Sequence, residues 1–287
     1  MTISQNKVSV VIPNYNYARY LKKRIWSAVR QTYSIYELII LDDASTDGSQ
    51  EIIEREILKV REKYPELKVK FIKNEKNSGK AIRQWERGFK EASGDFVWIA
   101  EADDLSSRHF LEEVMKGFRD PKVMISYSES AVMNGAGLIL APNFRWSRDK
   151  EKTGHYKDSY IKNGQDEIKE IMAIRCTIPN VSAAVFRKNG VNYEKFLKEA
   201  EKFTQVGDWY FYAKILENGK ISYNKKSLNY FRVHKGSVTS DSKKALRHYE
   251  EVLEMHEMLA KKYDLSDAIK KRIINEEERV KNKLQNA

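Results

Sequence analysis

The chain has 287 residues, 41% hydrophobic and 11% aromatic, enough to bury a substantial core in one large domain or two small ones. No apolar run approaches the roughly 20 residues that cross a bilayer, and Met1 to Lys7 lack the charged and apolar regions of a secretion signal, so a cytoplasmic protein is expected. A formal net charge of +11 favours acidic partners, but lysine and arginine are interleaved with glutamate and form no arginine-rich tract, which turns the expectation away from nucleic acid.

Val8 to Ile12 is a β-branched run closed by Pro13, the pattern of a buried first strand, and Asn14-Tyr15-Asn16-Tyr17 turns out of it. Tyr20, Leu21, Ile25, Ala28 and Val29 then recur at helical spacing, and Tyr36 to Leu41 reads as a second strand ending in Asp42-Asp43. The run from Asp42 to Ser49 is turn and cap chemistry ahead of a helix marked by Ile52, Ile53, Ile57 and Val60, with a third strand at Val69 to Ile72. Asn77-Ser78-Gly79-Lys80 opens a helix with the stripe Ile82, Trp85, Phe89 and Ala92, and the strand Phe96 to Ala100 runs into Glu101-Ala102-Asp103-Asp104. Alternating strand and helix predicts a mostly parallel central sheet with helices on both faces. Ligands of such sheets sit beyond the carboxyl ends of the strands, which places Pro13 to Tyr15, Asp42-Asp43 and Glu101 to Asp104 on one rim.

Beyond the acidic stretch the spacing predicts a helix around Leu111 to Phe118, a strand at Val123 to Tyr127, and an irregular region from Ala131 to Thr153 containing the basic aromatic segment Asn143 to Arg148. A helix over Gln165 to Arg175, a strand over Val181 to Phe186, a helix from Asp208 through Leu216 and a short hairpin over Ile221 to Val233 follow. Cys176, the single cysteine, excludes an internal disulfide and reads as a structural thiol. From about Lys243 the composition shifts to two amphipathic helices, so the expected organisation is a domain over 1–240 and a helical extension over 241–287. That extension could pack on the domain, pair with a second copy or lie against a membrane.

Three carboxylates in four residues repel one another unless a cation, hydrogen bonds or water offsets them. Glu101 to Asp104 therefore reads as a divalent-metal site or as a solvated acidic turn that caps the next helix. The chain has no G-x-x-x-x-G-K-[ST] run and no G-x-G-x-x-G after its first strand, so bound phosphates need another holder, which a carboxylate-bound metal supplies.

The segments Val10 to Asn16, Gln31-Thr32-Tyr33, Glu37 to Ser49, Asn77-Ser78-Gly79 and Ser93 to Phe96 leading into Glu101 to Asp104 resemble, in order and spacing, the inverting glycosyltransferases of family 2, which have the GT-A fold. The resemblance implies a nucleotide-diphosphate sugar donor, UDP before others, a saccharide or lipid-linked saccharide acceptor, and Mn2+ or Mg2+ as cofactor. It implies donor contacts at Pro13, Tyr15, Asp42, Asp43, Asn77, Gly79, Lys80, Asp103, Asn180 and His234. For the metal it implies Asp104 first, with Asp103, Glu101 and His234; Glu101 stands where the family often has aspartate. Val206-Gly207-Asp208-Trp209 resembles the acceptor-side motif, making Asp208 the general base, though Gly207 replaces a frequent acidic residue. Tyr230 to Thr239 resembles the segment in which a histidine approaches the metal or diphosphate. Cell-surface polysaccharide synthesis, contact with the inner membrane face and pairing through the C-terminal helices are compatible with this reading. The rival readings are a nucleotidyltransferase, which would be expected to carry a glycine-rich basic loop after the first strand, and a non-catalytic carbohydrate-binding module of the same fold.

Overall fold

In the computed structural model, residues 6–145, 153–234 and 242–285 are described; Trp146 to Arg148, Lys235 to Thr239 and the expected boundary at 240 lie outside them. The first half is the expected alternation: β1 (Val8–Asn14), α1 (Ala18–Val29), β2 (Glu37–Asp42), α2 (Ser49–Lys63), β3 (Lys68–Lys73), α3 (Ala81–Glu91) and β4 (Phe96–Ile99). A two-residue β5 (Leu105–Ser106), α4 (Phe110–Val114) with a 3-10 turn to Arg119, and β6 (Val123–Asn134) follow, then β7 (Ile139–Ala141) and β8 (Tyr160–Asn163). The remainder is α5 (Gly164–Glu167) widening to a π turn through Met172, β9 (Ala184–Arg187), α6 (Tyr193–Ala200), α7 (Gly207–Leu216), β10 (Lys220–Val233), α8 (Ser242–Lys262) and α9 (Asp267–Gln285).

One sheet carries the fold, in the order β3-β2-β1-β4-β9-β6-β10-β5. β3, β2, β1 and β4 are mutually parallel, β9 is inserted antiparallel between β4 and β6, and β6 and β10 are again parallel. The sheet is thus mixed, with its parallel block at the β3 side. Strand side chains alternate between faces, so one apolar run feeds two cores. Val8, Val10, Ile12, Phe96 and Trp98 pack under α1, α2 and α4, whereas Val11, Val97 and Ile99 face α3 and α7. This is why β1, β2 and β4 are apolar at nearly every position.

Three expected elements differ. Ile221 to Val233 is not a hairpin: it belongs to one long strand whose polar Asn224-Lys225-Lys226 forms a bulge against β6, a turn-like composition that breaks register without reversing the chain. The irregular region begins later than Ala131, because β6 continues to Asn134 and returns as β7. Val181 to Ala183 is a 3-10 turn, capped by the Asn180 side chain, and only then does β9 start. In the C-terminal extension, Val252, Met255 and Leu259 of α8 join the main core, and Leu265 and Ile273 pack on Ala173 and Ile174.

Candidate active site

The rim at the carboxyl ends of β1, β2 and β4 is built by loops stitched to one another. Asn14 Nδ2 donates to Asp42 Oδ1 (2.8 Å) and Ser45 Oγ (3.0 Å), while Asn16 Oδ1 accepts from the Thr46 amide at 2.8 Å. Asn16 and Ala44 are non-glycine residues with φ of 59° and 61°. Such backbone costs about 1 kcal/mol or more each and persists where surrounding contacts dictate it, often at ligand sites. Asp42 is fully buried; its Oδ2 accepts from Gln50 and the Ser45 amide, so it builds the rim from beneath. Asp43 draws in the β3–α3 loop, accepting from Asn74 Nδ2 (2.6 Å), the Ser78 amide (3.0 Å), Ser78 Oγ (2.7 Å) and Gln84 Nε2 (2.9 Å). Asn77 Oδ1 accepts from the Gly79 amide, and Gly79 at φ +77° makes the turn into α3. Tyr15 projects from the rim 44% exposed, and Pro13 is buried past the last β1–β4 pair, where no donor is needed. Lys80 is not presented to the rim: its ammonium donates to the Glu201 carbonyl.

The acidic stretch divides its carboxylates. Glu101 Oε1 accepts from Trp85 Nε1 at 2.7 Å, and its amide donates to Ser182 Oγ. Asp104, 2% exposed, accepts from the Arg232 amide (2.8 Å) and from Asn180 Nδ2 (3.2 Å), and Asn180 is itself oriented by Asn229. Asp103 remains at the opening with His234, whose Nε2 lies 3.1 Å from Asp103 Oδ2. The structure thus turns Asp104 inward and Asp103 outward, the reverse of the order expected for metal contact. Among the described residues no three His, Cys, Asp or Glu side chains converge as a ready-made metal cage, so Glu101, Asp103, Asp104 and His234 are neighbours without being a closed ligand set.

The electrostatics record how crowded these charges are. Burial, reinforced by Asp103, pushes the Glu101 carboxyl up to about 8, against the Trp85 hydrogen bond. Burial and Asp103 push Asp104 up as well. The Tyr17 phenol is driven far up by burial and then by Asp103, Glu101 and Asp104. Beneath the cluster lies Arg24, fully buried, donating to Ser106 Oγ at 2.9 Å and lying 5.0 Å from the Trp98 ring centre. Burial lowers it to about 10, opposed by the fields of Asp104, Glu101 and Asp103.

Asp208 starts α7. Its Oδ1 accepts from the Trp209 amide at 2.7 Å, and burial lifts the carboxyl up to about 6. Fully buried Tyr212, one turn on, feels burial and then the charges of Asp208, Cys176 and Glu101, so its phenol bridges the fields of the two sides. The segment entering α7 is held by α8, where Glu251 accepts from the amides of Thr204 (2.8 Å), Gln205 (2.6 Å) and Val206 (3.2 Å).

Residue-by-residue reading missed Tyr17, Tyr20, Arg24, Trp85 and Glu251. Tyr17 and Tyr20, spaced i and i+3, both pack on His234, with ring centres 5.7 and 5.6 Å away. Arg24 had a visible signal, a charge on the apolar stripe of α1 beside Tyr20, Leu21, Ile25 and Ala28. Locally Glu251 reads as one half of an i,i+4 pair with Arg247; the amides it holds are more than 40 residues distant in sequence.

This architecture is the GT-A class. S. aureus TarS in complex with UDP superposes with a TM-score of 0.62 at 19% identity, over 93% of this chain and 69% of that one. A Pyrobaculum calidifontis mannosyltransferase in complex with GDP-Man and Mn2+ gives 0.59 at 18% identity, over 97% and 70%. The sequence model "Glycosyl transferase family 2" matches residues 9–174, and the chain belongs to that family. A relative in sequence is the poly(ribitol-phosphate) beta-N-acetylglucosaminyltransferase TarP of Staphylococcus aureus, 28% identical over 79% of this chain and 62% of its own. The chain spans only 34% and 32% of the length of the first two curated relatives it matches.

Proposed function

We propose that the protein transfers a sugar, with inversion, from a nucleoside-diphosphate donor to a hydroxyl of a saccharide or lipid-linked saccharide, in the synthesis of a cell-surface glycan. The observation that carries this reading is outward Asp103 beside His234, on a rim of loops hydrogen-bonded to one another, with the Tyr212 phenol sensing both Asp208 and Glu101. The nucleoside rests against Tyr15 and the loop organised by Asp43, with UDP the first donor to try because TarS was crystallised with it. Asp42 shapes this pocket from below, and Asn77 and Gly79 set its wall.

A divalent cation suits the opening, since Glu101 and Asp104 are lifted by burial and then by the charge of Asp103, and a cation beside them would favour their ionised forms. Asp103 and His234 would hold it, Asp104 and Asn180 backing them, with donor phosphates completing a Mn2+ or Mg2+ shell. When bound, the cation offsets the charge that gathers on the departing diphosphate. Asp208 takes the acceptor proton as the hydroxyl attacks the anomeric carbon; a carboxyl near 6 is ionised at neutral pH and is a stronger base than an ordinary aspartate. No covalent enzyme intermediate is required.

UDP-, GDP- and dTDP-sugars are offered with and without Mn2+, and melting shift and sugar release are both read. Mn2+-dependent stabilisation by one nucleotide together with sugar transfer supports the reading. Pyrophosphate release from a nucleoside triphosphate would favour a nucleotidyltransferase, and sugar binding with neither nucleotide binding nor turnover would favour a carbohydrate-binding module.

A further inference from the structure

Leu138, Ile139 and Leu140 are 67%, 52% and 60% exposed and consecutive, the only such run of large apolar side chains among the described residues. They form the returning arm of the β6–β7 hairpin, whose turn closes through the Gly137 amide to Asn134 O and the Asn134 amide to Leu138 O. Apolar side chains on a protein surface are normally scattered singly; three exposed in succession form a patch that calls for an apolar medium.

The hairpin is fastened to the catalytic rim. Arg232 Nη1 donates to the carbonyls of Asn134 (3.0 Å) and Gly135 (3.2 Å), its Nε donates to the Asp103 carbonyl, and its amide holds Asp104. Its neighbour on the other side is α1. A Cβ on Gly135 would lie 3.5 Å from the Tyr20 hydroxyl, and the guanidinium groups of Arg232 and Arg19 each lie 4.4 Å from the centre of the Tyr20 ring. Arg19, Lys22 and Lys23 are exposed along that part of α1. Apolar side chains flanked by cations beside an active-site mouth are the composition of a bilayer-binding surface.

A second copy adding to the sheet edge fits less well. β7 has three residues, and Val132 pairs with Ala141 while Met133 pairs with Ile139, so Leu140 is a bulge. Short, bulged edges resist strand addition. We propose that Leu138, Ile139 and Leu140 insert into an anionic lipid bilayer, with Arg19, Lys22 and Lys23 on its head groups, so that the rim opens toward the membrane. This deepens the proposed function by locating the surface that would meet a lipid-linked acceptor.

The test is flotation of the whole chain with phosphatidylcholine vesicles, with or without phosphatidylglycerol. The parent should float with the anionic vesicles and be released by salt, and the Leu138→Ser, Ile139→Ser, Leu140→Ser variant should lose at least ~10-fold in partitioning, as expected for three withdrawn apolar side chains. Its melting temperature and its UDP-induced melting shift should match the parent's. Arg19→Gln, Lys22→Gln, Lys23→Gln should weaken binding to the anionic vesicles alone. A parent that does not float, or a serine variant that floats as the parent does, overturns the proposal. So does a lowered melting temperature in the serine variant, which would mean that the chain itself covers the triplet, or a dimer-to-monomer change in sedimentation, which would assign it to a second copy. Flotation lost with the UDP shift intact counts against membrane docking alone in the parent, whereas flotation without any nucleotide shift counts against glycosyl transfer alone.

Discussion

Asparagine at position 208 should lower activity and raise stability at once. The substitution keeps an Oδ1 to accept from the Trp209 amide, now at 2.7 Å, so the start of α7 survives. What disappears is a charge that the fold accommodates poorly, since burial lifts this carboxyl from 3.8 to about 6. Between those values the native state binds more protons than the unfolded one, so stability falls as pH rises and the loss is complete above about 6. The full interval corresponds to up to about 3 kcal/mol, and solvent reaching the part-exposed residue trims this to about 1 kcal/mol. For a chain of this size that is a rise of about 2–4 °C in melting temperature at pH 7.5, with no difference near pH 3. Transfer should fall by about 10²- to 10⁴-fold through loss of the general base. The parent's kcat/KM should climb with pH to a plateau above about 6, and the variant should lack that limb. Melting scans at both pH values and initial rates from pH 5 to about 8 read the two effects separately. Near-parental turnover, or a variant less stable than the parent at pH 7.5, would refute the assignment.

Asp43→Ala takes the acceptor from the Ser78 amide and from Asn74 Nδ2, leaving Gln84 Nε2 only Ser78 Oγ, and should cost about 2–4 kcal/mol in urea unfolding together with nucleotide binding. Gly88→Ala puts a Cβ 2.6 Å from Val11 Cγ1 and should destabilise by about 1–3 kcal/mol, a loss that Val11→Ala partly reverses in a double-mutant cycle. Glu251→Ala frees three backbone amides ahead of Asp208; it should lower stability by about 2 kcal/mol, speed hydrogen exchange at 204–206 and reduce kcat more than donor affinity.

The parallel block of the sheet was legible because β1, β2 and β4 must be apolar on both faces, and such runs ending in Pro13, Asp42-Asp43 and Glu101 identify both strand and rim. β10 was not: Asn224-Lys225-Lys226 has the composition of a turn, and only the parallel partner β6 shows that the chain continues through it. The order of the carboxylates was also hidden, because Asp103 and Asp104 differ in what lies opposite them, the Arg232 amide and Asn180 for one and His234 for the other. The resemblance implies a donor contact at Lys80, yet the α6–α7 turn supplies the acceptor of its ammonium.

The two arginines around the acidic cluster leave its carboxylate oxygens uncovered by guanidinium, as the proposed cation would require. A guanidinium bound bidentately to a carboxylate would neutralise it but occupy the lone pairs a metal needs. Neither Arg24 nor Arg232 is placed that way among the described residues. Arg24 donates to Ser106 Oγ, and its Nε and Nη2 have no hydrogen-bond partner there. Arg232 spends its guanidinium on the carbonyls of Asp103, Asn134 and Gly135 and meets Asp104 only through its amide. Both act on the carboxylates through space, in a buried setting where screening is weak. Asp103 Oδ2 meets His234 and neither guanidinium, and a cation bound as proposed would offset the field that Asp103, after burial, adds to Glu101.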